Sequence, residues 1–258
     1  MQKAYSSDLT DAEWKVIKPV FADQRQYEKH SPRQIMNALF FLLKTGCQWR
    51  MLPKGFPPWK TVYTHFRKWR ESGRIERLCT RLRRAVRLMA GRHPSPSAAV
   101  IDAQSVPTAR QGGPECGRDG GKNVKGRKRH VVVDMMGLVL AVVVGSANES
   151  EGQKAPHVFQ KLFGKVPRLE VVFADKGYEG TPSGLVERCF GWLMSIVQRE
   201  EDGSSGRFEP IPKRWVVERT FGWFAGWRRL SRDYEYRPES SEAMIQIGMS
   251  RLMISRLA

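Results

Sequence analysis

The stretch LEVVFADKGYEG, residues 169–180, joins an apolar run typical of a buried β-strand to an acidic residue. The run covers residues 171–174, and Asp175 follows it directly. Acidic residues are the minority in this chain, which has 44 Lys and Arg against 26 Asp and Glu and a formal net charge of +18. A carboxylate at the mouth of a buried strand therefore needs a reason beyond surface solubility.

A second strand-like run, AAVID at residues 98–102, also ends in an acid, Asp102. In open α/β sheets, ligands bind outside the carboxyl ends of strands where the topology reverses. If the two strands are parallel neighbours, Asp102 and Asp175 lie side by side and repel each other unless a cation neutralises them. Mg²⁺ prefers such hard oxygen ligands. A single Asp at a strand end more often stabilises a turn by hydrogen bonding to the backbone. It is the predicted pairing of the two that favours a metal site.

The third candidate acid is Glu218, in RWVVERTFGW. It lies off the apolar stripe of its predicted helix, and Arg214 precedes it by one turn. A surface Glu–Arg pair, worth only a few tenths of a kcal/mol, is the alternative interpretation. If the helix packs across the sheet, Glu218 becomes a third ligand. Three carboxylates that hold two Mg²⁺ ions about 3.5–4 Å apart can catalyse phosphoryl transfer.

The first ninety residues have helical patterns. LTDAEWKVIKPVF begins with Thr10 and Glu13 at the spacing of a capping box. SPRQIMNALFFLLKTG begins with Ser31 as a cap and ends at Gly46, as a helix C-terminus should. The stretch GRHPSPSA, residues 91–98, is rich in Pro and Ser and indicates a linker.

Beyond the linker the pattern changes to three strands, helix, strand, helix, strand and two helices. This order predicts an α/β domain with a mixed sheet. The last two helices are expected to run as PKRWVVERTFGWFAGWRRLSRDYE and, amphipathic, as SEAMIQIGMSRLMISRL. The predicted domains are a helical, helix-turn-helix-like DNA-binding domain over 1–93, a linker over 94–98 and a catalytic domain over 99–258.

The basic residues are clustered, which suggests a polyanionic partner, most simply nucleic acid. One cluster lies on the predicted helix PPWKTVYTHFRKWRESG, opposite its aromatic stripe, and a helix fits the major groove of DNA. The other is the predicted loop KNVKGRKRH. An ordinary solvated face is the alternative for both. The predicted DNA contacts in these clusters are Lys60, Arg67, Lys68, Arg70, Lys122, Lys125, Arg127, Lys128 and Arg129.

Several other classes of protein do not fit. The four cysteines form no CxxC pair, which argues against a zinc knuckle. The longest uncharged apolar stretch, residues 135–147, is shorter than the roughly 18 residues of a membrane span. GKNVKGRK lacks the Lys-Ser/Thr ending of a P-loop. We expect a cytoplasmic, nucleoid-associated protein without a membrane partner.

Ordered blocks over most of the chain carry a family resemblance. They are TDAEW, LLKTGCQWRMLPKGFPPWKTVYTHFRKW, IDAQSV, GRDGGKNVKGRKRHVVVDMMGLVLAVVVGSANESEG, ADKGYEG and RWVVERTFGW. The sequence resembles DDE transposases of bacterial insertion sequences, of insertion-sequence family five within the wider family-four group. Within it, ADKGY resembles the block around the second catalytic Asp, and RWVVERTF the signature in which Arg precedes the catalytic Glu by four positions.

The resemblance implies a ribonuclease-H-like catalytic domain preceded by an all-helical DNA-binding domain. It implies Asp102, Asp175 and Glu218 as catalytic metal ligands for Mg²⁺, two ions in our interpretation, with Mn²⁺ as a substitute. It also implies cleavage and strand transfer of double-stranded DNA at the inverted-repeat ends of an insertion sequence, by a homodimer on paired ends that also binds target DNA. Further predicted DNA contacts are Tyr178, which would stack on a frayed terminal base, Arg214 and Arg228.

The chain departs from the family pattern at several positions, and the main departure lies after Glu218. Ala225 and Gly226 stand where relatives usually have a basic residue about two turns after the Glu. Two alternatives to an active transposase therefore stay open: a catalytically decayed protein that binds inverted repeats and represses transposition, and a Mg²⁺-dependent nuclease without strand transfer.

Overall fold

The structure, a computed structural model, describes residues 4–23, 29–109, 112–179, 181–197 and 215–258. The elements are α1 (Asp11–Ile17), α2 (Pro32–Thr45), α3 (Trp59–Glu71), α4 (Arg74–Met89), β1 (Ala98–Pro107), β2 (Gly117–Asp119), β3 (Val124–Asp134), β4 (Val139–Ser146), α5 (Glu151–Leu162), β5 (Val171–Ala174), α6 (Thr181–Phe190), β6 (Leu193–Ile196), α7 (Trp215–Ala225), α8 (Arg228–Ser231) and α9 (Pro238–Leu257).

The chain forms two compact units. The first consists of Met1–Pro94 together with Phe224–Ala258, and the second of Ser95–Trp223. The predicted catalytic domain, 99–258, includes the C-terminal helix, whereas the structure packs that helix in the first unit. The functional division into 1–93, 94–98 and 99–258 stays a prediction.

Local sequence sets the helix ends of the first unit as expected. Thr10 accepts the backbone N–H of Glu13 at 3.0 Å, and the Glu13 carboxylate accepts the N–H of Thr10 at 2.7 Å, which forms the predicted capping box. Ser31 caps α2 in the same way. Gly46 ends that helix with the left-handed backbone (φ 68°) that glycine adopts without a steric penalty.

The C-terminal helix α9 is not amphipathic, contrary to the prediction. Its buried side chains occupy nearly every side, because it packs against α1, α2, α3 and α4. Polar groups near its two ends are satisfied individually. Ser240 accepts a hydrogen bond from Arg70 at 2.6 Å, and Arg251 pairs with Glu13 at 2.7 Å. A helix buried on all sides is expected to be apolar on all sides, with small residues where neighbours approach closely.

The predicted long helix from Pro212 is interrupted. α7 ends at Ala225, and Trp227 has an extended backbone (φ −106°, ψ 111°) before the single turn of α8. Gly226 lies at the break, where glycine's low helix propensity costs about 1 kcal/mol relative to alanine. The start of the predicted helix, residues 212–214, lies outside the described residues.

The second unit is built on a mixed sheet. Five of its strands lie side by side in the order β2, β3, β1, β5, β6. The sixth strand, β4, pairs with β3, as β2 also does. β1, β5 and β6 are parallel, and β3 runs antiparallel to β1. The hairpin of β3 and β4 followed by parallel strands on the other side of β1 is the ribonuclease-H-like arrangement. The predicted α/β fold class is confirmed. The strands and helices follow the predicted order, except that the short β2 is an addition and that α7 and α8 replace one long helix.

The main core of this unit lies between the sheet and helices α5 and α6. Ile101, Val132, Val143 and Val172 contribute from four strands, and Phe159 is buried opposite them on α5. Phe159 packs edge-on against Trp192, with ring centroids 6.0 Å apart. The core thus fixes α5 against β3, β4 and α6. Within the described residues, no helix is long and apolar enough to cross a membrane.

Phe159→Ala should lower the free energy of unfolding by about 3–5 kcal/mol, because it leaves a cavity under α5. Phe163→Ala is the matched control, since Phe163 is 61% exposed. Urea denaturation followed by circular dichroism measures both variants. Equal losses of stability in the two would contradict the assignment of Phe159 to the core.

Candidate active site

Strand pairing brings two of the predicted acids to one point. β1 pairs with β5 as far as Val100, opposite Phe173, while its other edge stays paired with β3. Asp102 and Asp175 each lie two positions beyond that last pair, so they come at the same level of the sheet. From β1 the chain continues to β2, β3 and β4 on one side of the sheet. From β5 it continues to β6 on the other side. The two carboxylates therefore lie at the topological switch point, where α/β sheets bind ligands.

Each of the two acids is held by a backbone group. The Asp102 side chain, in a residue only 8% exposed, accepts the N–H of Ala103 at 2.6 Å. Asp175 accepts the N–H of Gly177 at 3.0 Å and caps the 3₁₀ turn Lys176–Tyr178. The turn chemistry considered for an isolated Asp is thus present at Asp175, and it orients the carboxylate at the strand end.

A third carboxylate, Glu151, joins this pair, and the sequence analysis did not single it out. It is the first residue of α5, which Ser150 and Gln153 cap reciprocally. A methyl group built on Gly177 would overlap Glu151 Oε2 and would lie 3.2 Å from Asp175 Oδ1. Oxygens of both carboxylates therefore lie beside the space that a side chain at position 177 would occupy, and only glycine fits there.

The electrostatics indicate that the three acids share one environment. Burial, followed by the negative charges of Asp175 and Asp102, raises the pKa of the Glu151 carboxyl to about 7. The charges of Lys122 and Lys128 act in the opposite direction but are smaller effects. The Glu151 carboxyl thus changes its protonation state near neutral pH, and a bound cation would favour its ionised form.

Tyr178 lies beneath this acidic group. It is fully buried, and its hydroxyl has no hydrogen-bond partner among the described residues. Burial and then the charges of Glu151, Asp102 and Asp175 hold the pKa of this phenol well above its usual value. The prediction that Tyr178 stacks on a DNA base is wrong for this conformation, because a ring without exposed surface cannot stack on a ligand.

The basic run on β3 is buried as well. Arg127 and Arg129 are 0% and 1% exposed, and Lys128 is 8% exposed. Arg127 donates to the carbonyl oxygens of Pro114 and Glu115. The prediction of a phosphate-binding loop is therefore wrong for these three residues, since they belong to a central strand.

Lys128 is engaged within the protein. Its Nζ donates to the carbonyl of Glu149 at 3.0 Å and lies 3.6 Å from Asp119. Lys122 and Lys125 are exposed, so they stay available as the predicted phosphate contacts. Lys122 approaches the site most directly, with Nζ 3.4 Å from the carbonyl oxygen of Ala103.

Glu218 is exposed on α7. The residues that follow it attach α7 to the turn between β3 and β4: Arg219 donates to Met136 O at 2.9 Å, and Thr220 to Gly137 O at 2.8 Å. No described contact joins Glu218 to the Asp pair. Across the described ranges, no three His, Cys, Asp or Glu side chains are arranged as they stand to hold a metal ion, so the acids at the switch point would have to rotate to share one. The role of Glu218 as third ligand stays a prediction.

The predicted DNA contacts in the first unit divide into two groups. Lys60, Arg67 and Lys68 of α3 are exposed, and so is Arg228 of α8. Arg70 is half-buried and bonded to Ser240 and Glu71, which makes it part of the packing between helices rather than a free contact. Arg214 lies outside the described residues.

The donor chemistry at the switch point fits a divalent metal ion. Asp102, Asp175 and Glu151 supply only carboxylate oxygens, the ligands that Mg²⁺ and Mn²⁺ prefer. Their mutual repulsion, visible in the pKa of Glu151, is what a cation would relieve. A ribonuclease-H-like sheet with paired acids at its switch point defines the class of metal-dependent nucleic-acid-processing domains.

The comparisons with known proteins specify the family. Residues 93–253 match the family model described as "Transposase DDE domain", and residues 9–79 match one described as "Putative transposase of IS4/5 family". The first match covers more than half of the chain, so the chain belongs to the DDE transposase family, and the predicted family is confirmed. DDE domains generally use divalent metal ions, and transposases bind DNA.

A curated relative points the same way. The "Putative transposase for insertion sequence element IS402" of Burkholderia cepacia is 32% identical over 130 residues. The match covers 48% of this chain and 60% of the relative. The similarity therefore spans less than two thirds of the relative's length.

Glu151 illustrates what the sequence could not reveal. An acid in the first turn of a helix is common, because it interacts favourably with the helix dipole. SANESEG contains two acids, Glu149 and Glu151, and no local pattern separates one from the other. Only the packing of α5 against the turn Lys176–Tyr178 shows which of them lies beside Asp175.

The raised pKa of Glu151 predicts a pH dependence of stability in the absence of metal. The folded state binds this proton more tightly than the unfolded state, so its stabilising contribution is present at low pH and is lost as pH rises from about 4.5 through about 7. Urea denaturation in EDTA between about pH 5 and 8 should show a fall in unfolding free energy that Glu151→Gln reduces. Parallel pH profiles for the two proteins would contradict this origin.

Proposed function

We propose that the protein is a transposase that cleaves DNA strands and transfers them at the inverted-repeat ends of its own insertion sequence. Asp102, Asp175 and Glu218 are the proposed catalytic residues, with two Mg²⁺ ions as the proposed cofactor and Mn²⁺ as a substitute. The observation that carries this proposal is the placement of Asp102 and Asp175 at one level of adjacent parallel strands, at the switch point of the sheet.

Divalent ions bound by these carboxylates would supply charge stabilisation at the scissile phosphate and a more acidic attacking oxygen. The protein's own part is orientation. The N–H groups of Ala103 and Gly177 fix the two Asp side chains. The hydrogen bonds of Arg219 and Thr220 fix α7, so Glu218 is presented from a helix with a defined position on the β3–β4 turn. Such fixed positioning reduces the reorganisation needed in the transition state.

We further propose double-stranded DNA, both element ends and target, as the partner, and a homodimer on paired ends as the working form. Exposed Lys60, Arg67 and Lys68 on α3 and Lys122 and Lys125 beside the acidic site support DNA binding. A nucleoid-associated location in the cytoplasm follows from this proposal.

A decayed, repeat-binding repressor is the second candidate. The observation that favours it is the break of α7 at Gly226, which leaves no basic residue in the helix two turns after Glu218. Both candidates predict binding to the element ends, and they differ in cleavage.

The decisive experiment is cleavage of a labelled duplex that contains the DNA flanking the gene, with Mg²⁺. Wild type should nick at the element boundary. Asp175→Asn and Glu218→Gln should each lower the rate on the order of a thousandfold, because each removes a metal ligand that stabilises charge in the transition state. Binding, measured by gel shift, should stay unchanged.

Glu170→Gln is the control, since Glu170 is exposed and precedes the opposite end of β5. Binding without cleavage by wild type would support the repressor. Nicking without joining of the released end to a second duplex would support the nuclease. A Glu218→Gln protein as active as Glu170→Gln would remove Glu218 from the proposed triad.

The exposed basic face of α3 should contribute to DNA affinity through phosphate contacts. The double variant Lys60→Gln and Lys68→Gln should lower the slope of log K against log salt concentration by about 0.9 for each phosphate that the protein no longer neutralises. The double variant Lys15→Gln and Lys18→Gln makes the same charge change on exposed residues elsewhere in the first unit. Fluorescence anisotropy at several salt concentrations measures both, and equal slopes would argue against a specific role for α3.

A further inference from the structure

We infer that Glu151 is a further metal-binding residue of the acidic centre, which holds the divalent cation together with Asp102 and Asp175. This inference rests on the proposed metal-dependent function and extends its ligand set to a residue outside the Asp102–Asp175–Glu218 triad.

The first argument is geometric. Glu151 comes from the start of α5, and Asp175 from the end of β5, yet their carboxylates meet over Gly177, where a methyl group would overlap Glu151 Oε2 and lie 3.2 Å from Asp175 Oδ1. A Mg²⁺ ion with ligand distances of about 2.1 Å bridges oxygens separated by up to roughly 4 Å. Glu151 Oε2 and Asp175 Oδ1 both lie within 3.2 Å of that one position, so small side-chain rotations bring them within reach of one ion.

The second argument is the buried hydroxyl of Tyr178. The residue has no exposed surface, and the hydroxyl interacts electrostatically with all three acids, Glu151 foremost. Within the described part of the chain it has no hydrogen-bond partner. A buried hydroxyl without a partner costs about 1–3 kcal/mol. A water molecule bound to an ion at the acids would donate a hydrogen bond to the Tyr178 hydroxyl oxygen and so give it a partner.

The third argument is that the protein does not neutralise Glu151 by itself. In the described ranges its carboxylate forms neither a hydrogen bond nor an ion pair. The capping of α5 is carried out by Ser150 and Gln153 and does not need it. The two lysines that act on Glu151 are bonded elsewhere: Lys122 donates to the Ala103 carbonyl, and Lys128 donates to the Glu149 carbonyl and pairs with Asp119.

The test uses the full chain and Mn²⁺ as the probe. Isothermal titration calorimetry gives the Mn²⁺ affinity, and thermal unfolding in EDTA gives the stability of the metal-free protein. Glu151→Gln should weaken Mn²⁺ binding on the order of tenfold or more. In EDTA it should melt at the same or a higher temperature, because it removes a charge that repels Asp102 and Asp175. A merely structural Glu151 would give the opposite pair of results.

Glu170→Gln controls for the change in net charge and Asp175→Asn for loss of the centre. Glu151→Asp, which keeps the charge on a shorter side chain, should retain the fold and lose part of the affinity; it carries the test if Glu151→Gln does not fold. If Asp175→Asn abolishes Mn²⁺ binding while both Glu151 variants bind as well as Glu170→Gln, the inference fails and the proposed function stands. If the wild type itself does not bind Mn²⁺, both fail.

Discussion

The parallel pairing of β1 with β5 is the constraint on which the rest of the site depends. It places two carboxylates at one level of the sheet, and α5 adds a third. Carboxylates this close repel each other, so their ionised forms are unfavourable unless a cation neutralises them. The proteins that keep such a conflict generally use it, because a site that is unfavourable when empty binds a cation more strongly.

The surrounding strands and helices hold the three carboxylates together despite their electrostatic repulsion. β3 pairs with β1 to well past Asp102, and β4 pairs with β3 in turn. The aromatic and aliphatic core beneath α5 prevents that helix from withdrawing Glu151 from its neighbours. Gly177 leaves the space in which the acids meet. The packing energy of the second unit thus holds together charges that would otherwise separate, which is a common relation between scaffold and active site.

Much of this could be predicted from sequence, and the failures have physical reasons. Strand ends and helix caps depend on residues nearby in the sequence. The positions of Asp102, Asp175 and the caps of the first helices could therefore be predicted. Glu151 depends on how α5 packs in three dimensions. The burial of Arg127 and Arg129 was missed because a run of basic residues is usually solvated. The burial of α9 on nearly all its sides was hidden by serines that lie in buried positions.

The burial of cations inside β3 means that the net charge of +18 overstates the charge that DNA can meet. Surface charges and buried charges also differ in their response to ionic strength, since salt screens exposed pairs far more than buried ones. The interactions that hold Arg127, Lys128 and Arg129 within the sheet are therefore largely independent of salt, whereas phosphate binding by exposed lysines is not. Concentrated salt should accordingly strip nucleic acid from this protein during purification while its architecture survives.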